Sequence, residues 1–181
     1  MDFTKLIAAI EKDLRLMAEK YYEGIIQSDK MENYAKLDKE KVLSREINVF
    51  SNMTNWLSTG SNDDNAEKFF ENIGSERFKE GFPLAEINYA LHIDKLIVWD
   101  YLTSRKGTDL FADNEEFQSI AFLLSNYFDL GSFYMTRGYM NELCSALENT
   151  GKFKREELQS IIRKGAFDED FDMSDIIWYH V

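Results

Sequence analysis

The sequence has little of the chemistry that marks secreted or membrane-embedded proteins. Cys144 is its only cysteine, so a disulfide framework within the chain is impossible and a reducing compartment is expected. No apolar run approaches the ~20 residues that cross a bilayer. The first residues, MDFTKLIAAIEKDLRLM, are charged throughout and resemble neither a secretory signal nor a transit peptide. We therefore expect a cytoplasmic protein without a membrane segment.

Motifs for common enzyme chemistry are also missing. The sequence lacks G-x-G-x-x-G, G-x-x-x-x-G-K-[ST], G-x-S-x-G and H-E-x-x-H, which serve nucleotide binding, acyl transfer and zinc hydrolysis. Only two histidines are present, His92 and His180, so one chain cannot build a histidine-rich metal site. We expect no enzyme and no metal site. A catalytic site assembled from scattered carboxylates remains a third alternative.

The charge balance excludes one class of partner. The formal net charge is −12, and the 21 lysines and arginines are scattered among acidic residues. Nucleic acids and anionic membrane surfaces are recognised by concentrated basic surfaces, and none is visible here. We therefore expect partners other than nucleic acid or membrane.

Apolar residues recur at spacings of three and four along most of the chain, and no β-type alternation is visible. The pattern predicts an all-α single domain of about six helices, either globin-like or a helical bundle. Capping residues mark three helix starts: Asp38, Asp64 with Glu67, and Asp113 with Glu116. The predicted helices cover residues 2–28, 38–58, 64–73, 84–104, 114–149 and 154–164. We place the domain at residues 1–167 and an acidic and aromatic tail at residues 168–181.

Three local patterns lead to further predictions. The helix over residues 84–104 is apolar on almost every side, which is typical of a central, buried helix. Gly131 and Gly138 lie on one helical stripe, where a neighbouring backbone could approach closely; bends are the alternative. Gly74 and Gly81 bracket a segment expected to turn the chain, and Arg77 with Glu86 could bridge that turn as an exposed ion pair.

The segment FFENIGSERFKEGFPLAEINYALHIDKLIVWDYL combines an aromatic pair, two glycines, an arginine, Leu-Ala-Glu and an apolar helix that reaches a tryptophan. It resembles the N-terminal regulatory domain of stressosome co-antagonist proteins, which is similar in fold to a globin that has lost its haem. The matching positions are Phe70, Gly74, Arg77, Gly81, Leu84, Glu86, Ala90 and Trp99.

This resemblance implies a non-enzymatic sensory or regulatory module of bacterial-type signal transduction. Such a module acts as a homodimer through protein–protein contacts. Family members usually feed a following output domain, so we expect either a separate output protein here or a chain that acts alone. The candidate contacts to a partner or ligand are Arg77, Glu86, Trp99 and Trp178, the last in an apolar cluster that either folds back or binds a partner.

His92 supports an alternative function. It lies midway along the apolar helix, with Asn88, Lys95 and Trp99 at spacings of four, three and seven. A lone histidine in an all-helical fold can be an axial haem ligand, which would make the chain a small-ligand or haem carrier. The competing interpretation is a half-buried histidine with a structural hydrogen bond. We expect no cofactor, with haem as the alternative.

Overall fold

The computed structural model describes residues 3–61, 63–108 and 110–164. The described residues form helices and contain no strand, which confirms the all-α prediction. In chain order the helices are α1 Thr4–Gln27, α2 Glu32–Ala35, α3 Lys39–Ser58, α4 Asp63–Lys79, α5 Leu84–Ser104, α6 Asn114–Asn149 and α7 Arg155–Lys164. The boundary predicted near residue 168 lies outside the described residues and stays a prediction.

The chain divides into two compact units, Met1–Tyr139 and Met140–Val181. In the first unit, α1 packs against α3 and α5, and α4 contacts both α3 and α5. Its core is rich in aromatic and branched side chains, with Tyr21, Phe50, Trp56, Phe70 and Tyr127 among the largest buried ones. In the second unit, the described residues form the end of α6 and α7, where Cys144 and Leu158 are buried.

The short helix α2 is an addition to the predicted helices. Its sequence reads as a polar break between two longer helices, yet Met31 and Tyr34 are buried. The Tyr34 ring packs against Phe82, with ring centroids 4.6 Å apart. Burial of these two side chains therefore fixes a segment that periodicity alone left as a connection.

Two of the three predicted helix caps are confirmed. The Asp38 carboxylate accepts hydrogen bonds from two backbone N–H groups in the first turn of α3. At the start of α6, Asp113 accepts from the Glu116 backbone at 2.8 Å, and the Glu116 carboxylate accepts from the Ala112 backbone at 2.6 Å. These bonds satisfy N–H groups that have no partner within the helix.

The third predicted cap, at Asp64 and Glu67, is wrong. Helix α4 begins at Asp63, so Asp64 lies within its first turn. Glu67 instead accepts a hydrogen bond from Arg137 on α6 at 2.6 Å, and Glu71 pairs with the same guanidinium. The acidic residue that looked like a cap is thus part of a contact between α4 and α6.

Glycines allow α4 and α6 to approach each other closely. A Cβ atom added at Gly74 would lie 2.0 Å from the Met135 carbonyl oxygen, and one added at Gly138 would lie 2.1 Å from the Glu71 carbonyl oxygen. At Gly131 a Cβ would meet the Phe70 ring at 2.7 Å. The predicted close approach of a neighbouring backbone is confirmed at Gly138, whereas Gly131 makes room for the Phe70 side chain. The prediction that Gly74 begins a turn is wrong, because it lies inside α4 at this crossing.

We expect Gly74→Ala to destabilise the protein by about 3 kcal/mol, because its methyl group would overlap the backbone of α6. Gly24→Ala is the matched control, since a Cβ there would lie at an ordinary 3.6 Å from Ile93. In a helix interior that substitution should stabilise by about 0.5–1 kcal/mol. Urea denaturation of both variants measures the difference, and equal midpoints would contradict the close crossing.

Candidate functional site

A groove of about 380 Å³ lies between α5 and α6. Its walls are mostly apolar and include Val98, Leu102, Ala121, Leu124 and Phe128, together with His92, Lys95, Leu96, Trp99 and Ser125. This volume falls in the range of small-molecule pockets and of clefts that receive a partner side chain.

Large apolar side chains are exposed on both helices that form this groove; Leu96 and Trp99 line it, whereas Phe122 and Phe133 lie outside its lining. On α5, Leu96 is 52% exposed and Trp99 is 51% exposed; on α6, Phe122 is 72% exposed and Phe133 is 58% exposed. Spacings of three and four place Phe122 and Phe133 on the same stripe of α6 as the groove residue Ser125. We call these four residues the α5–α6 face.

The exposed side chains correct one prediction about α5. Its sequence predicted burial on every side, but α5 contacts α1 and α4 with its other faces and leaves Leu96 and Trp99 at the surface. An apolar residue on an exposed stripe cannot be distinguished from a core residue by composition. The prediction is therefore wrong for this stripe.

Polar contacts link the two helices beside the groove. The Lys95 ammonium binds both carboxylate oxygens of Asp129, at 2.7 and 2.9 Å. Ser132 donates its hydroxyl to the Asn88 side-chain oxygen at 2.6 Å, and the Asn88 amide lies 3.3 Å from the Thr136 hydroxyl. The charged residues nearest the groove therefore neutralise each other across α5 and α6.

His92 is exposed at the wall of the groove, where sequence reasoning allowed a half-buried position. Its ring lies 5.8 Å from the ring of Tyr89, measured between centroids. An exposed imidazole beside an open groove lacks the apolar enclosure that shields a buried haem. The role of His92 as an axial haem ligand stays a hypothesis.

The predicted ion pair between Arg77 and Glu86 is wrong. Arg77 is buried, and its guanidinium donates to Glu80 at 3.2 Å. Glu86 accepts from the backbone and side-chain nitrogens of Asn33, at 3.0 and 2.7 Å. Helix α4 continues to Lys79, so Arg77 lies within a helix rather than on a turn. Its side chain is buried on the inner side of this helix. Both residues join elements of the fold, and neither reaches the groove.

A buried carboxyl pair escaped sequence reasoning. Glu46 on α3 is 4% exposed, and Asp94 on α5 is 2% exposed. Burial raises the pKa of Glu46 to about 7 and raises the pKa of Asp94 well above its usual range. The available signal was an acidic residue on an apolar stripe, since Glu46 lies four residues from both Val42 and Phe50. Asp94 similarly interrupts an apolar helix.

The described residues contain no group of three or more His, Cys, Asp or Glu side chains placed to hold a metal ion. Within them, no helix combines the length and apolar character needed to span a bilayer. The candidate contact Trp178 lies outside the described residues, so its role stays a prediction.

Comparison with known proteins identifies the family. A family model described as the RsbT co-antagonist protein rsbRD N-terminal domain matches residues 48–150, which is more than half of the chain. No curated protein and no solved structure gives a significant match. The matched range begins within α3, ends just after α6 and contains both the groove and Asp94. The resemblance found in the segment from Phe69 to Tyr101 is confirmed: the chain belongs to the family of RsbT co-antagonist N-terminal domains, a regulatory signalling family of stressosome proteins.

Proposed function

We propose that the protein is a non-enzymatic signal-input domain that acts as a homodimer, with the α5–α6 face as the contact between its two copies. The family supports a regulatory role and protein partners. The observation that carries the choice of surface is the set of four exposed apolar side chains on α5 and α6, two of which line the groove.

Four large apolar side chains, each more than half exposed, are unusual on a surface that contacts only water. Isolated exposed apolar residues need no explanation, but several on two neighbouring helices, beside an apolar groove that two of them line, are typical of an interaction site. Three of the four residues are aromatic, namely Trp99, Phe122 and Phe133. Aromatic side chains dominate the energetics of protein interfaces, because they bury a large area at a small entropic cost. The groove could receive such a side chain from a second copy in a two-fold arrangement.

Charge favours this face for self-association. With a net charge of −12, two copies of the chain repel each other over most of their surfaces. Next to the groove, Lys95 and Asp129 cancel each other at 2.7 Å. An apolar face with internally paired charges is where two acidic chains meet with little repulsion.

We expect Leu96→Glu to weaken self-association at least tenfold, because it places a carboxylate in the centre of the proposed contact. Leu16→Glu on α1 is the matched control: Leu16 is 51% exposed and Leu96 is 52% exposed, and both lie on helices. Sedimentation equilibrium of the two variants and the unmodified chain gives the dissociation constants.

The control separates a specific contact from a general effect of added charge. Weakening in both variants to the same extent would show that net charge, rather than the α5–α6 face, limits association. A monomeric unmodified chain at high concentration would overturn the homodimer. Circular dichroism of both variants establishes that they remain folded.

The alternative function, a haem carrier with His92 as axial ligand, has its own test. Because His92 is exposed beside an open groove, we expect haemin to give no Soret band that depends on this residue. The measurement is an ultraviolet–visible titration of the unmodified protein, His92→Ala and His180→Ala. A sharp Soret band that disappears only in His92→Ala would replace the regulatory proposal with a haem-based one.

A further inference from the structure

Two carboxyl groups meet in the interior of the first unit. Glu46 comes from α3 and Asp94 from α5; both are buried, both line one small cavity, and each affects the pKa of the other. Two ionised carboxylates have no donor between them, so a hydrogen bond within the pair requires a proton on one member. As carboxylates, Glu46 Oε2 and Asp94 Oδ1 have no hydrogen-bond partner among the described residues. A proton shared between the two carboxyl groups gives these oxygens a hydrogen-bond partner.

The surroundings can balance one negative charge in the pair more readily than two. The titratable groups that face it are Tyr21 on α1, Tyr34 on α2, Arg45 on α3, Arg77 on α4 and Tyr127 on α6. Both arginines also bind Glu80, which draws their positive charge away from the pair. The three tyrosines are neutral, because burial raises the pKa of each, that of Tyr34 to about 12.

A small cavity of about 20 Å³ lies at this cluster, lined by Tyr21, Glu46, Arg77 and Asp94 among others. Such a volume accommodates one water molecule. The Tyr21 hydroxyl and Arg77 Nε lack a hydrogen-bond partner among the described residues, as do the two carboxyl oxygens. Four polar atoms from four helices therefore converge on one small space in an otherwise apolar core.

From this geometry we propose that Glu46 and Asp94 form a proton-binding site that holds one shared proton at mildly acidic pH and ties α3 to α5. Loss of the proton leaves two carboxylates side by side in a low-dielectric interior, where repulsion and desolvation both oppose the native packing. The site therefore makes the packing of α3 against α5 dependent on pH.

The direction of the pH dependence follows from the raised pKa values. In the unfolded chain a glutamate releases its proton near its ordinary pKa of 4.5, whereas the folded chain holds it up to about 7. Between these values the folded state binds more protons than the unfolded state. The contribution of this protonated group to the free energy of unfolding is therefore fully present below about pH 4.5, and it is lost as the pH rises towards 7.

The first test uses the unmodified protein and an infrared spectrum at about pH 6, well above the ordinary carboxyl pKa. We expect the carbonyl stretching band of a protonated carboxylic acid, shifted in deuterium oxide and weakened as the pH is raised above 7. Absence of any such band at about pH 6 would overturn the proposal. This measurement requires no substitution, so it tests for the protonated carboxyl group even if a variant fails to fold.

The second test assigns the proton to the pair. Glu46→Gln keeps a side chain that can hydrogen-bond with Asp94 but removes one titrating group. We expect the unfolding equilibrium constant of the unmodified protein to rise by up to about tenfold per pH unit between about pH 5 and 7, in urea denaturation series. In Glu46→Gln this dependence should flatten. The infrared band should disappear when Asp94→Asn is added to Glu46→Gln, because burial also raises the pKa of Asp94.

Glu11→Gln is the control, because Glu11 is an exposed glutamate on α1. We expect it to retain both the infrared band and the pH dependence of the unmodified chain. A band that persists in the Glu46→Gln/Asp94→Asn double variant, or the same slope in the unmodified chain, Glu46→Gln and Glu11→Gln, would show that the proton lies elsewhere and would overturn the assignment.

Discussion

The close crossing of α4 and α6 is the constraint on which the first unit depends. At Gly74 and Gly138 the two backbones approach so closely that a single methyl group would overlap a carbonyl oxygen. This contact fixes the rotation of α4 about its axis. Arg77, three residues after Gly74, consequently faces the interior, and the ring of Phe70, one turn before it, lies against Gly131. The Arg137 pairs with Glu67 and Glu71 lie at the edge of the same crossing.

Because this rotation of α4 turns Arg77 inward, the interior of the first unit contains ionisable groups. Arg77 brings a guanidinium into the core, while α3 and α5 bring the carboxyl groups of Glu46 and Asp94. A buried polar cluster of this kind contributes little net stability compared with apolar packing, but it penalises any arrangement that leaves its members unpaired. The cluster therefore disfavours arrangements of α3, α4 and α5 that separate the buried arginine from the two carboxyl groups.

Local features of the fold were predictable from sequence, and the contacts between helices were not. The bounds of α5 and α6 and the caps at Asp38 and Asp113 follow from periodicity and from backbone N–H groups that need acceptors. Periodicity does not reveal which helix lies opposite a given stripe. Gly74 was therefore predicted to turn the chain, and Glu86 was assigned to Arg77 instead of Asn33. The arrangement as a globin or a simple bundle stays a prediction for the same reason.

The proposed dimer contact and the proposed proton-binding pair both involve α5. This helix places Asp94 in the interior and Trp99 at the surface. Because Asp94, Leu96 and Trp99 lie on one helix, a rigid shift of α5 that relieved repulsion at Asp94 would also displace Leu96 and Trp99. By linkage, the proton and the second copy of the chain then influence each other reciprocally: if association holds the proton more tightly, the proton strengthens association by the same factor. One proton can change the association constant by at most about tenfold per pH unit. The fold thus limits any response to pH through this pair to a graded one, and a steeper response would require further titrating groups at the interface itself.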